Sequence, residues 1–537
     1  MQKDHTAGPG RSWGAGIAII LLLLFSPCSE AASPPPPKQK SVTRLPKGKA
    51  ALLKYFSNTD RKLGKASAFY SLGDPRDAFI ARIFLIDHAT TSLDVQYYIY
   101  EDDVIGNFFT HHLMMAAERG VKVRILLDDL ITGGKDKKLA MITAHPNIEL
   151  RLFNPNHFRK TFRNLALLFD VNSLGKRMHN KSLIADGAVA IIGGRNIGDV
   201  YYAADKETLF LDYDILAIGK VVPDIYHSFD LYWNSKEAVP SSQVIDDLFT
   251  LTEYNKELEA RDKSFKAFKQ STIGKAMASS DFSQKIVEGK IKLTVVKRAD
   301  LYYDYPEKVR SNEEDTRTHL SSRISYDLKH VERELIIISP YFIPSEEFMA
   351  KLKALRERGA SVTVVTNSLA STDVFPVYSG YRWSIESLVQ MGVHLYELKP
   401  QSFKKFTRSR KWLKGHRTSL HTKMMVIDRD RLVVGSANID PRSDKLNTEL
   451  VLVISSEKMA KEKLKVLKEI INEENFYRLS WGRDPSAYAT DDISDYGPIW
   501  HTIENGKEKT YYSPPRSGFF RTLGTDLLSF LPIEGYL

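Results

Sequence analysis

Short apolar runs rich in β-branched residues alternate with longer amphipathic stretches along most of the chain after residue 66. TTSLDVQYYIY (90–100) predicts a strand, and AAERGVKVRILLDD (116–129) predicts the end of a helix at Gly120 followed by a second strand. VERELIIISPYFI (331–343) and ALRERGASVTVVTNS (354–368) repeat this order, with the glycine at Gly359. Strands that alternate with helices predict parallel or mixed sheets flanked by helices in both halves of the chain.

The same pattern suggests how the chain is divided. Periodicity is weak and polar residues are frequent from about residue 238 to residue 290, which favours a connection between two lobes there. The predicted segments are a signal peptide or N-terminal anchor (1–32), a Pro-rich and basic linker (33–66), an N-terminal lobe (67–240), an inter-lobe connection (241–290) and a C-terminal lobe with an amphipathic tail (291–537).

The N-terminus carries an apolar run of eleven residues, AGIAIILLLLF (15–25), preceded by basic residues. It is too short to cross a hydrocarbon core of about 30 Å, so it is typical of the central region of a secretory signal. Small residues predict cleavage after Ala31; the alternatives are an uncleaved anchor or lipid attachment at Cys28. We therefore expect an exported, membrane-associated protein at the periplasmic face of a bacterial inner membrane.

Composition excludes several classes of protein. The 537 residues are 43% hydrophobic and 26% charged, which excludes a disordered chain and a polytopic membrane protein. A single cysteine excludes a disulfide framework and a zinc site built from cysteines. The net charge of +10 indicates a large basic protein, and the positions of the basic residues bear on what it binds.

Much of this charge lies in two segments. Residues 38–65 contain nine Lys or Arg and one Asp, and residues 404–417 contain seven Lys or Arg and no acid. The second segment and residues 158–177 mix basic with aromatic and aliphatic side chains, which suits an anionic membrane surface. The alternatives are a solvated arm, packing on the core, or nucleic-acid binding, which the apolar run 165–169 disfavours. The C-terminal residues 518–537 predict either a docked helix or a membrane-contacting tail.

Two distant segments share one motif. RMHNKSLIADGAVAIIGGRN (177–196) and SLHTKMMVIDRDRLVVGSAN (419–438) both place Lys, Asp, Gly and Asn at positions +2, +7, +14 and +17 after a histidine. The second copy follows the first by 242 residues. Residues i and i+2 of a strand point to one face, so each histidine should project beside its lysine, and the duplication predicts one shared site. The matched residues are His179 and His421, Lys181 and Lys423, Asp186 and Asp428, Gly193 and Gly435, and Asn196 and Asn438.

These motifs resemble the paired HKD signatures of the phospholipase D superfamily. The flanking strings LFNP (152–155), GGRNIGD (193–199), TNSLASTDV (366–374), LYELKP (395–400) and DPRSDKLNTE (440–449) are similar to those of bacterial cardiolipin synthases, particularly the C-type enzymes. The resemblance implies an α/β fold of two similar phospholipase D-like lobes. Each lobe would be a mixed β-sheet flanked by helices, and the two would pack around one shared active site.

The residue types of the motif suit phosphodiester chemistry. A phosphodiester is anionic and resists nucleophiles, so its oxygens must be neutralised, by the two lysines with Asn196 and Asn438 as neutral donors. One histidine can attack phosphorus to form a phosphohistidine while the other protonates the leaving alcohol and later deprotonates the incoming one. The motifs are symmetric and leave these roles open, whereas the resemblance favours His179 as nucleophile and His421 as acid and base.

Four acidic residues belong to the predicted site. The resemblance places Asp212 and Glu449 where the family often carries an acid that orients a histidine. Asp186 and Asp428 complete the catalytic motifs, and we interpret them as structural groups within these motifs. Metal binding is disfavoured because a cationic lysine stands where a second ligand would be expected, and neither a metal nor a cofactor is predicted.

The resemblance implies a phosphatidyltransferase that makes cardiolipin from phosphatidylglycerol and a second phospholipid through a phosphohistidine. Phosphatidylethanolamine is a further candidate substrate, an anionic membrane surface is the expected partner, and no nucleic acid is expected. The main alternative is a hydrolytic phospholipase D that releases phosphatidic acid. A phosphodiesterase or nuclease and a non-catalytic membrane scaffold are the remaining alternatives.

Overall fold

The computed structural model describes residues 51–56, 63–155, 175–311, 319–402, 416–485 and 496–518. The predicted signal or anchor, most of the basic arm, most of the two basic and aromatic segments, and nearly all of the C-terminal tail lie outside the described residues. Among the helices within these ranges, none combines the length and the apolar character needed to cross a membrane.

The first lobe is built on a nine-stranded sheet of order β10-β1-β8-β6-β5-β2-β3-β4-β9. The strands of this half are β1 (Ser67–Leu72), β2 (Ser92–Tyr97), β3 (Lys122–Asp128), β4 (Ile148–Phe153), β5 (Ser182–Ala185), β6 (Val189–Gly193), β7 (Thr208–Leu211), β8 (Asp214–Gly219), β9 (Ala238–Pro240) and β10 (Thr294–Val296). Its helices are α1 (Pro75–His88), α2 (Val104–Glu118), α3 (Asp136–Ile142), α4 (Val222–Trp233), α5 (Leu251–Gln270), α6 (Thr272–Ala278) and α7 (Asp281–Val287).

The second lobe is built on a ten-stranded sheet of order β11-β18-β17-β16-β12-β13-β14-β19-β20-β21. The strands of this half are β11 (Arg298–Tyr303), β12 (Glu334–Ile338), β13 (Ser361–Asn367), β14 (His394–Leu398), β15 (Arg417–Leu420), β16 (Met424–Ile427), β17 (Arg431–Gly435), β18 (Leu450–Ser455), β19 (Phe476–Arg483), β20 (Tyr496–Glu504) and β21 (Lys507–Tyr511). Its helices are α8 (Leu320–Lys329), α9 (Glu346–Glu357), α10 (Phe375–Arg382), α11 (Ile385–Gln390) and α12 (Glu457–Ile470).

The ends of the repeated helices are set by local side chains. Asp103 accepts a hydrogen bond from the backbone N–H of Gly106 at the start of α2, and Ser345 caps α9 in the same way. After these helices Gly120 and Gly359 have φ angles of 90° and 87°, a left-handed conformation that favours glycine. The sequence prediction that both helices end at these glycines is therefore confirmed.

The repeat extends to strand order and register. The orders β1-β8-β6-β5-β2-β3-β4 and β11-β18-β17-β16-β12-β13-β14 correspond strand for strand, with the last three strands of each set parallel. Leu93 pairs with Ala185, and Leu335 pairs with Ile427, each residue 242 positions after its counterpart. The predicted fold of two similar lobes, each a mixed sheet with helices, is confirmed.

Successive residues of the central strands face different layers. Leu183 belongs to the core beneath the helices of the first lobe, whereas Ile184 belongs to a core that the two lobes share. In β12 Ile336 faces the shared core and Ile337 faces the helices of the second lobe. Burying each such side chain stabilises the fold by about 1.5–3 kcal/mol. The inner faces of the two sheets therefore pack against each other, as period-two alternation requires.

The change from one sheet to the other falls later than the predicted boundary at residue 291. β10 pairs with β1 and completes the first sheet, whereas β11, which begins at Arg298, pairs with β18 of the second sheet. Residues 251–287, predicted as a connection, form α5 to α7, which pack on α1 and α2 of the first lobe and bury Tyr254 and Phe282. A strand of three residues carries too little periodicity to mark a boundary in the sequence.

Candidate active site

The two His-x-Lys segments lie where the parallel strands of each lobe end. His179 and Lys181 directly precede β5, and His421 and Lys423 directly precede β16. Because β5 and β16 run antiparallel to β2 and β12, their first residues lie beside the carboxyl ends of those strands. All four residues are buried, with exposed fractions of 8% or less.

His179 is hydrogen-bonded to a carboxylate of the opposite lobe. Its Nδ1 atom lies 3.0 and 2.9 Å from the two carboxylate oxygens of Glu449. The backbones of the two segments also pair, since His179 N–H donates to the carbonyl of Thr448 and Thr448 N–H donates to the carbonyl of Arg177, both at 2.9 Å. Glu449 is therefore held in register beside His179.

His421 is held in the same way by the first lobe. Its Nδ1 atom lies 2.6 Å from Oδ2 of Asp212. β7 of the first lobe and β15 of the second form a separate two-stranded parallel sheet, and the N–H of His421 continues it by donating to the carbonyl of Leu211 at 2.8 Å. The structure thus brings together the histidines and the acids that the sequence predicted, with each acid supplied by the other lobe.

These contacts select one tautomer of each imidazole. Burial, followed by the charges of the nearby lysines, lowers the pKa of both His179 and His421, so the rings are neutral at neutral pH. Although burial opposes the shift, the hydrogen bond from His421 and the charge of Lys423 lower the pKa of Asp212. Nδ1–H therefore donates to the acid, and the lone pair of Nε2 is available. Within the described ranges, neither Nε2 atom has a hydrogen-bond partner.

The two lysines add hydrogen-bond donors to the site. Lys181 Nζ donates to the carbonyl of His179 at 2.5 Å, and Lys423 Nζ donates to the carbonyl of His421 at 2.7 Å. Each ammonium has three N–H groups, so further donors remain for a ligand. Burial lowers the pKa of Lys181 well below its usual value and that of Lys423 to about 8. An anion bound between them would restore the stability of both charges.

The surroundings of the two acids differ at one matched position. Ser436 donates its hydroxyl to Glu449 Oε2, and its counterpart in the first copy of the motif is Gly194. A Cβ atom at Gly194 would lie 2.2 Å from Oδ1 of Asp212, so a glycine is required there. Ser443 donates to the second oxygen of Glu449 at 2.7 Å. The backbone at Gly194 thus approaches closely the acid that holds His421.

The motif aspartates lie at the far ends of β5 and β16. Asp186 accepts the N–H groups of residues 90–92 that lead into β2, at 2.7–3.1 Å, and two threonine hydroxyls. Asp428 accepts the three corresponding N–H groups of residues 332–334, at 2.7–3.2 Å. Both residues have φ near 50°, a conformation that aspartate tolerates better than most residues. They fix the start of a central strand and do not contact the histidines, which supports the structural interpretation.

A family match can now be added to this geometry. Residues 83–233 and 324–471 match the family model described as "Cardiolipin synthase, PLD-like domain", and these ranges cover more than half of the chain. The chain belongs to this phospholipase D-like family. Both ranges contain one histidine, one lysine and one histidine-holding acid of the site. The resemblance drawn from the paired motifs is confirmed, and with it the prediction of an enzyme of this superfamily.

Several relatives in the phospholipase D-like family cover most of the chain. Cardiolipin synthase C of Escherichia coli K12 is 38% identical over 465 residues, which are 86% of this chain and 94% of the relative. An uncharacterized protein of Helicobacter pylori 26695 is 33% identical over 470 residues, which are 85% of this chain and 87% of the relative. The crystal structure of phosphatidylserine synthase from Haemophilus influenzae Rd KW20 superposes with a TM-score of 0.51 at 13% identity, covering 79% of this chain and 92% of that one. This structure shows the same fold.

Sequence reasoning missed the aromatic walls of this phospholipase D-like site. The ring of Tyr98 lies 5.1 Å from that of His179, and Phe210 stacks on His421 at 5.4 Å with an interplanar angle of 5°. Tyr201 meets the same ring edge-on at 5.1 Å. Tyr98 directly follows β2 and lies within the predicted strand 90–100. Its place at the end of that strand was the sequence feature that could have indicated a position in the site. Apolar ring faces beside the imidazoles lower the local polarity, which strengthens electrostatic interactions there.

The two asparagines have different surroundings. Asn196 accepts the backbone N–H of Ile99 through Oδ1 and donates to the hydroxyl of Tyr201 at 2.9 Å. Asn438 is buried beside the Glu449 network, where its N–H donates to Ser443. Asn196 thus positions Tyr201 in this structure, and its role as a phosphate donor stays a prediction, as does that of Asn438.

One basic residue expected at a membrane surface lies inside the protein. Arg177 is 1% exposed and forms an ion pair with Asp128 at 3.1 Å. Asp128 also accepts the N–H of Met178, so this pair positions the residue before His179. The prediction that Arg177 belongs to a basic surface of residues 158–177 is therefore wrong. Its charge is buried and is stabilised by pairing with Asp128.

The pH dependence of kcat/KM is expected to show an alkaline limb near pH 8. Burial lowers the pKa of Lys423 to about 8, so the free enzyme loses this charge above that pH and binds the phosphodiester more weakly. The bound anion stabilises the ammonium, so the corresponding limb of kcat should lie at higher pH. Initial rates with a short-chain phospholipid between about pH 6 and pH 10 measure both limbs. Coincident limbs would contradict the assignment to Lys423.

Proposed function

We propose that the protein is a phosphatidyltransferase that makes cardiolipin from phosphatidylglycerol and a second phospholipid. When the anionic phosphodiester binds, its charge favours a proton on Nε2 of one histidine. In the first step Nε2 of the other, neutral histidine attacks phosphorus, the P–O bond to the headgroup alcohol breaks, and the protonated histidine gives its Nε2 proton to that alcohol. In the second step this histidine takes the proton of an incoming phosphatidylglycerol hydroxyl, the new P–O bond forms and the P–N bond breaks. Lys181 and Lys423 stabilise the negative charge of the phosphoryl oxygens in both steps.

The observation that carries this proposal is the convergence of two acid–histidine pairs and two lysines on one site. Two imidazoles, each with an available Nε2, supply a nucleophile when neutral and an acid when that atom carries a proton. The 38% identity to cardiolipin synthase C over most of both chains supports a lipid acceptor. The aromatic walls at Tyr98, Tyr201 and Phe210 support transfer to an alcohol, because they limit the access of water.

The proposed place of work is the periplasmic face of a bacterial inner membrane. The apolar run at residues 15–25 and the basic, aromatic segment at residues 404–417 support an exported protein that contacts anionic lipid. This location is tested by adding protease to intact cells and to spheroplasts. An exported protein should resist the protease in intact cells and be cleaved in spheroplasts, from which the outer membrane has been removed.

The function is tested with the purified full chain and vesicles of labelled phosphatidylglycerol, with and without phosphatidylethanolamine. Labelled cardiolipin, identified by mass spectrometry, is the expected product. Phosphatidic acid without cardiolipin would establish the hydrolase instead. A double variant, His179→Ala with His421→Ala, controls for contaminating lipid enzymes. Cleavage of DNA without lipid turnover would exclude both lipid activities.

A further inference from the structure

The mouth of the site carries an acidic side chain that the mechanism does not use. Asp373 is exposed, and its Oδ2 accepts a hydrogen bond of 2.8 Å from the hydroxyl of Tyr341. The ring of Tyr341 lies with its centroid 6.0 Å from Nζ of Lys423. Tyr341 lies in the segment that follows β12, beside Lys423, so the pair belongs to the rim of the catalytic centre.

Asp373 acts on the His421 side of the site. Burial lowers the pKa of His421 and of Lys423, and the negative charge of Asp373 opposes both shifts. The same charge acts on Tyr201, whose ring meets that of His421 at 5.1 Å. On the opposite side the positive charge of Arg442 contributes to the lowered pKa of His179. Asp373 therefore lies close enough to His421 and Lys423 for its charge to act on both.

The loop that presents Asp373 is attached to the strand that leads to His421. Arg417 of β15 donates to the backbone carbonyls of Ala370 and Thr372, at 2.8 and 3.0 Å. At the start of the loop, Asn367 exchanges two hydrogen bonds of 2.8 and 2.9 Å with the backbone of Leu420. The carboxylate is thus fixed relative to His421 while its side chain faces solvent, which is the arrangement needed to contact a ligand.

A second carboxyl near Lys423, that of Asp440, is not accessible to a ligand in the same way. Asp440 is buried, with an exposed fraction of 6%, and accepts the N–H of Ser443 at 2.7 Å. Burial raises the pKa of Asp440 to about 7. Asp373, in contrast, has Tyr341 as its hydrogen-bond partner among the described residues and retains an oxygen for another donor.

We propose that Asp373, positioned by Tyr341, binds the headgroup alcohol through a hydrogen-bond donor on the carbon adjacent to the one that bears the reacting oxygen. This inference rests on the proposed phosphatidyl transfer and names its specificity determinant. A carboxylate attracts a hydroxyl or an ammonium and repels the phosphodiester, so it orients the headgroup away from the lysines. Phosphatidylglycerol supplies a vicinal hydroxyl, and phosphatidylethanolamine supplies an ammonium. Water and simple alcohols supply neither.

The position of Asp373 also assigns a chemical role to each histidine. The alcohol bound by Asp373 has its reacting oxygen beside His421, which protonates it as it leaves and deprotonates it as it arrives. Attack on phosphorus then comes from His179, on the side without an available carboxylate. The geometry therefore agrees with the assignment of His179 as nucleophile and His421 as acid and base. The motifs alone left this assignment open, and the family resemblance favours it.

The test uses competition between acceptor alcohols within one reaction. Phosphatidyl-p-nitrophenol serves as donor in mixed micelles, because its leaving group needs no contact with Asp373. Ethanol competes in separate arms with ethylene glycol, glycerol or ethanolamine, and the phosphatidyl products are quantified by mass spectrometry. Only the product ratio is compared, so changes in the rate of the first step cancel.

The wild-type protein is expected to prefer the acceptors with a second donor group over ethanol. Asp373→Ala should reduce this preference by about tenfold to a hundredfold, the usual effect of losing a charge-assisted hydrogen bond. Asp373→Asn and Tyr341→Phe should reduce it less, by about threefold to tenfold. Asp430→Asn, at an exposed carboxylate of the β16–β17 turn, is the matched control and should leave the ratio unchanged.

The glycol and ethanolamine arms distinguish the two kinds of headgroup. A loss confined to ethanolamine assigns the site to an ammonium, and a loss confined to glycol and glycerol assigns it to a hydroxyl. Product ratios in Asp373→Ala equal to those of the wild type would overturn the inference. A wild-type protein that prefers glycol but makes no cardiolipin would overturn the proposed product while supporting the headgroup site.

Discussion

Replacing His179 with alanine is expected to lower kcat for phosphatidyl transfer by about a thousandfold or more, because no nucleophile remains to form the phosphohistidine. His421→Ala should have an effect of similar size on natural lipids, since the leaving alcohol then lacks its acid. Steady-state assays with phosphatidylglycerol vesicles measure both losses. His330→Ala, at an exposed histidine that follows α8, is the matched control and should retain full activity.

An activated donor separates the two histidines. A p-nitrophenyl leaving group needs no proton, so His421→Ala should still form a phosphatidyl-enzyme that persists because its breakdown lacks a base. Rapid quenching and peptide mass spectrometry should find the adduct on His179. An adduct on residue 421 in the His179→Ala variant would reverse the roles, and full lipid turnover in either variant would refute the shared site.

Changing the acids that hold the histidines should be nearly as damaging. Asp212→Asn and Glu449→Gln are each expected to lower kcat by about a hundredfold to ten-thousandfold. An amide can donate its N–H to Nδ1 and so stabilise the tautomer whose proton lies on Nε2, where the lone pair is needed. The first change acts on His421 and the second on His179, across the lobe interface.

The readout for the acid variants is kcat together with the thermal unfolding temperature. A loss of activity without a comparable loss of stability supports the tautomer argument. Glu357→Gln, at an exposed position near the end of α9, serves as the control. Wild-type kcat in Asp212→Asn would contradict the role of that carboxylate, and rescue of activity by Asp212→Glu would support it.

Much of this architecture could be predicted because it depends on local order and repetition. Gly120 and Gly359 marked the ends of two helices, and the 242-residue spacing of the motifs reappears in the register of β2 with β5 and β12 with β16. His179 and Lys181 project together because they are two residues apart in extended backbone. Such features are encoded within a few residues, or within two copies of the same segment.

Features that arise from packing between distant segments could not be predicted. Asp212 and Glu449 were placed by resemblance, yet the pairing of each with the histidine of the other lobe depends on how the sheets pack. The same holds for β10, which returns to the first sheet after the helices α5 to α7. Asp373 lies in the segment TNSLASTDV (366–374), but its role could not be predicted, because a single acid in a loop has no periodicity.

The crossed acid–histidine pairs have a consequence for assembly. An isolated lobe would contain one histidine without its acid and one acid without its histidine, so it would not be half of an enzyme. Separation of the lobes would disconnect both pairs together, which prevents a state that loads a phosphatidyl group but cannot release it. Covalent linkage of the two copies makes this all-or-none assembly independent of protein concentration, because each lobe meets its complement at the high effective concentration of an intramolecular partner.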